Sequence, residues 1–532
     1  MMQLVNERLK AILPILGILL IAAAVRLPSL TAGLPYISYV DENHVLHPVV
    51  HLLAEKTWEP TWYSYPSFPL YLVAAAAVIY SPVYAAVHGH PLREDLSRFP
   101  PQYYDILEPP ELIVIGRLVT LAFSLGVVLL TGLLARRLAG RAAGLFAAGL
   151  AALVPALVAR GTPVTVGPLV VFFTLAALLF ANRLREGDRP RRDSVLAGAM
   201  TGLTAACKYP AVLVCLPVAL AVLLAGGTWP EKLRRLVLAG VAAVTAMLVA
   251  MPPLVLRLSD VLRDMQAISN NYRTQQMGSY WVQAVEWAEW DLPLHRPEVG
   301  IVFLVLAAAG LLVGLKDRRW AKDVWGWLIL GAATGLLVAP YKFRAFRNLL
   351  ALVPLACMLV ALLYVKLRER ARRPAWVDLA AALLPVVLFA PTIHSYIRYE
   401  LRLEDSREQA VHWVREHARP RDKVLFMEEL AFLPSRIATL QTVQADVKRW
   451  GRAQDRVLNR RYHYLVLGEQ RRRNGAPKIQ PDKAAWILRN YAVKATFGSY
   501  PTHPADEGFK GNGQKIHILK RVPRKEAVKA SG

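Results

Sequence analysis

The chain has 532 residues, of which 55% are hydrophobic and only 19% charged, and its formal net charge is +25. A soluble protein carries charge on roughly a quarter of its residues, so these numbers exclude an ordinary soluble globule. The excess Lys and Arg sits between apolar runs. That is the pattern of cytoplasmic loops and phospholipid contact, and no nucleic-acid-binding motif competes with it.

A membrane-spanning helix needs about 20 mostly apolar residues. Twelve segments approach that length: 11–26, 68–88, 112–134, 142–158, 165–182, 194–207, 210–226, 236–256, 299–315, 324–340, 349–366 and 376–391. Arg8 and Lys10 precede the first, as in a signal peptide, but no convincing small-residue cleavage site follows, so a retained helix is expected. The basic groups are Arg8/Lys10, Arg136-Arg137-Arg141, Arg183 to Arg192, Lys232 to Arg235, Lys316 to Lys322 and Lys366 to Arg373. Placing all of them inside requires an even number of crossings between successive groups. Only the first interval holds an odd number of segments.

Segment 68–88 is the one chosen not to cross. Trp58, Trp62, Tyr63, Tyr65, Tyr71, Tyr80 and Tyr84 favour the interface, and Pro66, Pro69 and Pro82 interrupt the run. The expectation is a multi-pass α-helical membrane protein of about 11 spans with a cytoplasmic N-terminus. Residues 1–395 form the membrane domain, with 27–111 as a first extracytoplasmic loop containing juxtamembrane helices. Residues 396–532 form a small extracytoplasmic α/β domain with a helix over 405–417, strands at 424–427, 464–467 and 516–519, and a helix over 482–492. The basic end, 521–532, reads as disordered. Cys207, Cys215 and Cys357 lie in apolar runs, so no disulfide is expected.

This topology gathers chemistry on the outer face. Asp41-Glu42 follows the first span. A carboxylate beside an acceptor hydroxyl acts as a general base, and adjacent acids also bind a divalent cation such as Mg or Mn. The bland alternative is a helix cap. His44, His47 and His51 share one face of a short helix, with Val45, Val49 and Leu52 on the other; this spacing suits either a metal or an ordinary interfacial face. Lys208-Tyr209-Pro210 places a charge within apolar sequence, where ionisable groups are costly and commonly functional, or else snorkel. Lys342, Arg344 and Arg347 lie outside against the positive-inside trend. They call for an anionic partner, either a lipid-linked phosphate or a phospholipid headgroup. The loop 257–298 carries Asn270, Asn271, Tyr272, Arg273, Trp281, Glu286, Trp287, Glu289, Trp290 and Asp291, which suit a sugar site and an interfacial helix equally. Glu428-Glu429 is a second acidic pair or a solvated strand end.

Several stretches together resemble the GT-C superfamily of membrane glycosyltransferases, and in particular bacterial members of glycosyltransferase family 39. These include relatives of protein O-mannosyltransferases and of the aminoarabinose transferase that modifies lipid A. The stretches are Asp41-Glu42, Trp58 to Tyr71, Gly116-Arg117-Leu118, Arg136 to Gly140, Gly202 to Pro210, Arg344 and Arg347 with Pro354, and Asp405 to Ala410 with Trp413. The resemblance spans about residues 20–430.

It implies inverting transfer of a sugar from a polyprenyl-phosphate donor to a glycan, lipid or protein acceptor on the extracytoplasmic face. Asp41 would be the base with Glu42 beside it. Lys208, Tyr209, Lys342, Arg344 and Arg347 would hold the lipid phosphate. His44, Trp62 and Tyr65 would contact the sugar or acceptor. One departure counts against a two-carboxylate metal site: Gly167 stands where relatives carry a second acid. That leaves open a metal-free enzyme, Glu42 as a shifted ligand, or a non-catalytic lipid-sugar-binding or partner subunit of the same fold. A transporter would show paired halves, and no internal repeat is present.

Overall fold

The structure is a computed structural model. It describes residues 2–37, 39, 41–98, 107, 109–187, 189–274, 292, 296–342, 345–401, 406–427, 442–445, 462–468, 487, 491–497 and 516–521. The chain divides into two compact units. The first holds residues 1–30, 44–93 and 114–401; the second holds 31–43, 94–113 and 402–532.

The first unit is a helical bundle. Its helices are α1 (Met2–Ala24), α2 (Glu42–Ala54, entering from the second unit), α3 (Phe68–His88), α4 (Leu92–Arg98, most of it in the second unit), α5 (Glu111–Leu153, entering from the second unit), α6 (Pro155–Ala159), α7 (Gly167–Glu186), α8 (Pro190–Cys207), α9 (Cys215–Leu224), α10 (Trp229–Ala250), α11 (Pro253–Leu256), α12 (Leu258–Thr274), α13 (Pro297–Lys316), α14 (Ala321–Val338), α15 (Leu352–Arg370) and α16 (Pro374–Leu401). All twelve apolar segments read from the sequence are helical. Among the described residues, seven helices are long and apolar enough to cross a membrane by themselves. The longest, α5, is two helices joined at a kink where Gly140 takes φ +88°, a left-handed conformation that glycine reaches without strain.

Close approach is built from small residues. A Cβ on Gly198 or Gly202 of α8 would lie 2.1 or 2.0 Å from the Ala239 or Ala243 carbonyl oxygen of α10. This is the small-residue spacing by which membrane helices bring their backbones together. Two buried arginines tie off the other end of the chain's first turn. Arg26 donates to Ser124 Oγ at 3.0 Å and to the Ala22 and Ala152 carbonyls at 2.9 Å. Arg117 donates to the Ser29 and Leu30 carbonyls.

Two sequence expectations change here. Prolines do not break 68–88: Pro69 sits in the first turn of α3, where no intrahelical N–H is needed, and Pro82 is carried inside a continuous helix. On α2, His44 and His51 are half-buried rather than exposed. His47 is buried, and Val45, Val49 and Leu52 on the other side are buried as well.

The second unit contains helix α17 (Ser406–His417) and strands β1 (Val424–Met427), β2 (Thr442–Ala445), β3 (Tyr464–Gly468), β4 (Tyr491–Phe497) and β5 (Ile516–Arg521). They form one mixed sheet in the order β2-β1-β3-β5-β4. β1 pairs parallel with β2 and β3, while β5 runs antiparallel to β3 and β4. Ala410, Val411 and Val414 of α17 pack on Leu425, Val466 and Ile518 in one apolar core. β2 and β4 are additions to the sequence reading. Tyr491 and Ala492, expected to end a helix, begin β4; Ile487 before them is helical.

Candidate lipid-phosphate cavity

A cavity of about 270 Å³ lies within the first unit where helix ends converge. Gly167 opens α7, Lys208 follows α8, Val338 closes α14 and Leu352 opens α15; all four line it. Its walls divide by chemistry. Val170 and Val171 of α7, Leu330 and Leu337 of α14, and Leu213 give an apolar flank. Lys208, Arg347, Asn348, Tyr65 and Tyr272 give a polar one. Among the described residues, no Asp or Glu lines it.

Local sequence explains how the polar groups arrive. α8 ends at Cys207, and Lys208 leaves the helix with extended backbone (φ −158°, ψ 118°) at the cavity wall. The turn after α14 continues into a short 3-10 helix, Phe346–Asn348, that carries Arg347 and Asn348. Lys208 Nζ donates to Asn348 Oδ1 at 2.5 Å, joining positions 140 residues apart. Asn348 was not among the residues singled out from sequence, and its position directly after Arg347 was the signal available. Tyr209 donates through its hydroxyl to the Tyr63 carbonyl at 3.0 Å, and the Tyr63 N–H donates to Asp264 Oδ2 at 2.8 Å. The aromatic stretch is thereby pinned between the end of α8 and α12.

α12 covers the cavity. Met265, Ile268, Ser269 and Tyr272 line it at the spacing of one helical face. The Lys342 N–H donates to the Tyr272 carbonyl at 3.0 Å, tying the end of α12 to the turn after α14.

Of the residues selected from sequence, Lys208, Tyr209, Arg347 and Tyr65 come together in this cavity. The His44 ring lies 5.9 Å from that of Tyr65. Lys342 is exposed and does not line the cavity. Trp62 does not line it either, but its indole N–H is buried and lacks a hydrogen-bond partner among the described residues. Asp41 and Glu42 fall in the second unit, where Glu42 is fully buried at the first position of α2. Asn270, Asn271, Tyr272 and Arg273 lie on α12. Arg344, Glu428-Glu429, the acids and tryptophans of 281–291, and 522–532 lie outside the described residues. His47 is pushed down to about 4, first by burial and then by His44.

Gly167 is where a second carboxylate was expected. A Cβ there would meet Leu350 Cδ2 at 3.1 Å. Among the described residues no group of three or more His, Cys, Asp or Glu is placed to hold a metal ion. Among the described residues the cavity wall offers no carboxylate ligand for a divalent cation.

A family profile described as dolichyl-phosphate-mannose-protein mannosyltransferase matches residues 112–256. A search of curated proteins finds no match. Among solved structures, the chain is similar to ArnT from Cupriavidus metallidurans bound to undecaprenyl phosphate. That match has a TM-score of 0.54 at 13% identity and covers 96% of this chain and 98% of ArnT. The apo state of the same protein matches at 0.53 and 13%, covering 95% and 97%. The oligosaccharyltransferase AglB from Archaeoglobus fulgidus, in complex with an inhibitory peptide and a dolichol-phosphate, gives 0.47 at 14%, covering 86% and 69%. The chain shares the fold of ArnT, a multi-pass helical membrane architecture with a small strand-containing C-terminal region.

Proposed function

We propose that the protein moves a hexosyl or pentosyl group from a polyprenyl-phosphate carrier to an acceptor hydroxyl on the extracytoplasmic face of the membrane. One observation carries this reading. A single cavity in a GT-C fold joins an apolar helix-lined flank to Lys208, Arg347 and Asn348. The apolar flank suits a prenyl chain, and the polar groups suit its phosphate. That ArnT has been solved with undecaprenyl phosphate supports the same ligand class.

In the proposed reaction the acceptor hydroxyl loses its proton to the Asp41 carboxylate. Its oxygen attacks the anomeric carbon as the bond from that carbon to the phosphate oxygen breaks. The departing phosphate keeps the electron pair, and Lys208 and Arg347 neutralise the charge that develops. One displacement inverts the anomeric centre. Asp41 immediately precedes α2, whose first turn carries His44 beside the cavity-lining Tyr65. The unsatisfied Trp62 indole N–H is a donor for a sugar or acceptor oxygen.

The N-terminus is read as cytoplasmic and the C-terminal unit as extracytoplasmic, with α3 held in the outer loop. In support, Arg93, beyond α3, donates to the Ala54 carbonyl at the end of α2 at 2.9 Å, so the chain after α3 returns to the element before it. A reporter fused after Arg137 should be cytoplasmic and one at Gly532 external. A reporter found outside at Arg137 means α3 crosses.

The test of function is transfer in vesicles containing polyprenyl-phosphate sugars. Asp41→Asn should abolish transfer while lipid-phosphate binding persists, and full activity in that variant removes Asp41 as base. Gly167 in the cavity wall favours one second reading, a lipid-sugar-binding subunit without turnover. Binding of polyprenyl phosphate by the wild type with no transfer from any donor would select it.

A further inference from the structure

The stretch Asp405 to Ala410 resembles the family yet has no part in the chemistry above. It opens α17 in the second unit, the unit that also contains Asp41 and Glu42. Arg407 there is 1% exposed, and Ser406 and Tyr36 are fully buried. The Arg407 guanidinium carbon lies 3.6 Å from the centroid of the Tyr36 ring. A guanidinium out of water needs compensation. Stacking its plane on an aromatic face supplies part of it, in a geometry that a lysine ammonium does not reproduce.

Tyr36 is well placed to pass this constraint on. It sits in a run of turns, with its own N–H donating to the Gly33 carbonyl and the Leu34 N–H to the Thr31 carbonyl. Five residues on is Asp41, and the Glu42 N–H donates to the Tyr39 carbonyl to start α2. A stretch that short spans at most about 17 Å when fully extended, so fixing Tyr36 limits how far Asp41 can move.

We propose that Arg407 is a positioning residue for the acidic pair, acting through Tyr36 to hold residues 36–42 in place. The proposal rests on the reading of Asp41 as base, and it gives the C-terminal domain a role in the reaction. Displacing a catalytic group by 1 Å can cost about 100-fold in rate. Holding this segment therefore affects turnover without touching the lipid-phosphate cavity.

The test uses the full-length protein and hydrogen exchange of peptides covering 31–43, with Arg407→Lys, Tyr36→Leu and Tyr36→Phe. Arg407→Lys keeps the charge but loses the planar stack, and Tyr36→Phe keeps the ring. The first two variants should exchange about tenfold faster over 31–43 while β3 and β5 stay protected. In transfer assays they should lower kcat about 10- to 100-fold with the donor KM unchanged. Tyr36→Phe should match wild type in both. Wild-type exchange over 31–43 in Arg407→Lys, or acceleration spread equally over β3 and β5, overturns the proposal. Full transfer by Asp41→Asn would remove the base reading instead, and the exchange result would still decide whether Arg407 holds the segment.

Discussion

Two settings in the first unit treat cations differently: a set of ion pairs away from the cavity, and the cavity wall itself. Arg185 pairs with Asp323, Arg137 with Glu186, Arg319 with Asp317 and Glu369, Lys366 with Asp317, and Arg368 with Asp378. At the cavity wall, Lys208 meets the neutral amide of Asn348, and no carboxylate lines the wall among the described residues. The same helices supply both: α7 carries Gly167 and Glu186, α14 Asp323 and Val338, and α15 Leu352 and Glu369. A carboxylate neutralises a cation and locks it. An amide orients a cation without adding a charge of its own. The first arrangement holds helices together, and the second suits the anion proposed above.

The largest effect should come from removing the cavity cations. Lys208→Met with Arg347→Met should lower transfer by about 10²- to 10³-fold, the scale of losing charge stabilisation in a transition state. The same change at Arg319 and Lys366 should leave turnover per folded molecule unaltered. Comparable loss from both pairs would erase the distinction between the two settings.

Acid should separate α2 from the ion pairs next. His47 on α2 titrates at about 4 when folded, against an ordinary value of 6.5. The unfolded chain therefore binds this proton first. Stability is complete above about pH 6.5 and declines as pH falls toward 4, by up to about 3 kcal/mol. Among the ion pairs, Arg319 beside Asp317 holds that carboxyl well below its usual range, so its contribution survives until pH drops below about 4. Hydrogen exchange at pH 5 should show α2 loosening while the α13–α14 turn stays protected. Replacing His47 with Gln should remove the α2 response.

Smaller again is Asp323→Asn. Its pair with Arg185 is largely buried, so thermal denaturation in detergent should register a loss of about 1–3 kcal/mol with transfer by the folded fraction unchanged. Arg368→Gln, at a solvent-exposed pair with Asp378, should shift stability little, and less still in high salt.

Much of this fold was legible because hydrophobic run length reports helices in a membrane protein directly. Every apolar segment became a helix, and Lys208 and Arg347 were conspicuous as charges in the wrong solvent. α12 was left open between a sugar-binding loop and an interfacial helix although Val261, Met265, Ile268 and Tyr272 follow helical spacing, because its apolar content is too low to register as a span. β4 was missed because its register shifts between Val493 and Ala495, which breaks the alternation that marks a strand. Asn348 was not singled out because a neutral amide gains its role only from a lysine 140 residues away. The grouping of Tyr36 with Arg407 likewise depends on chain folding across hundreds of residues, with no local pattern to announce it.

The central claim is that the cavity receives a lipid-linked phosphate, and direct binding tests it most simply. Undecaprenyl phosphate should bind the detergent-solubilised wild type saturably. Lys208→Met and Arg347→Met should each weaken it about tenfold or more, whereas Arg319→Gln should leave it unchanged. Equal affinity in all four proteins would contradict the assignment.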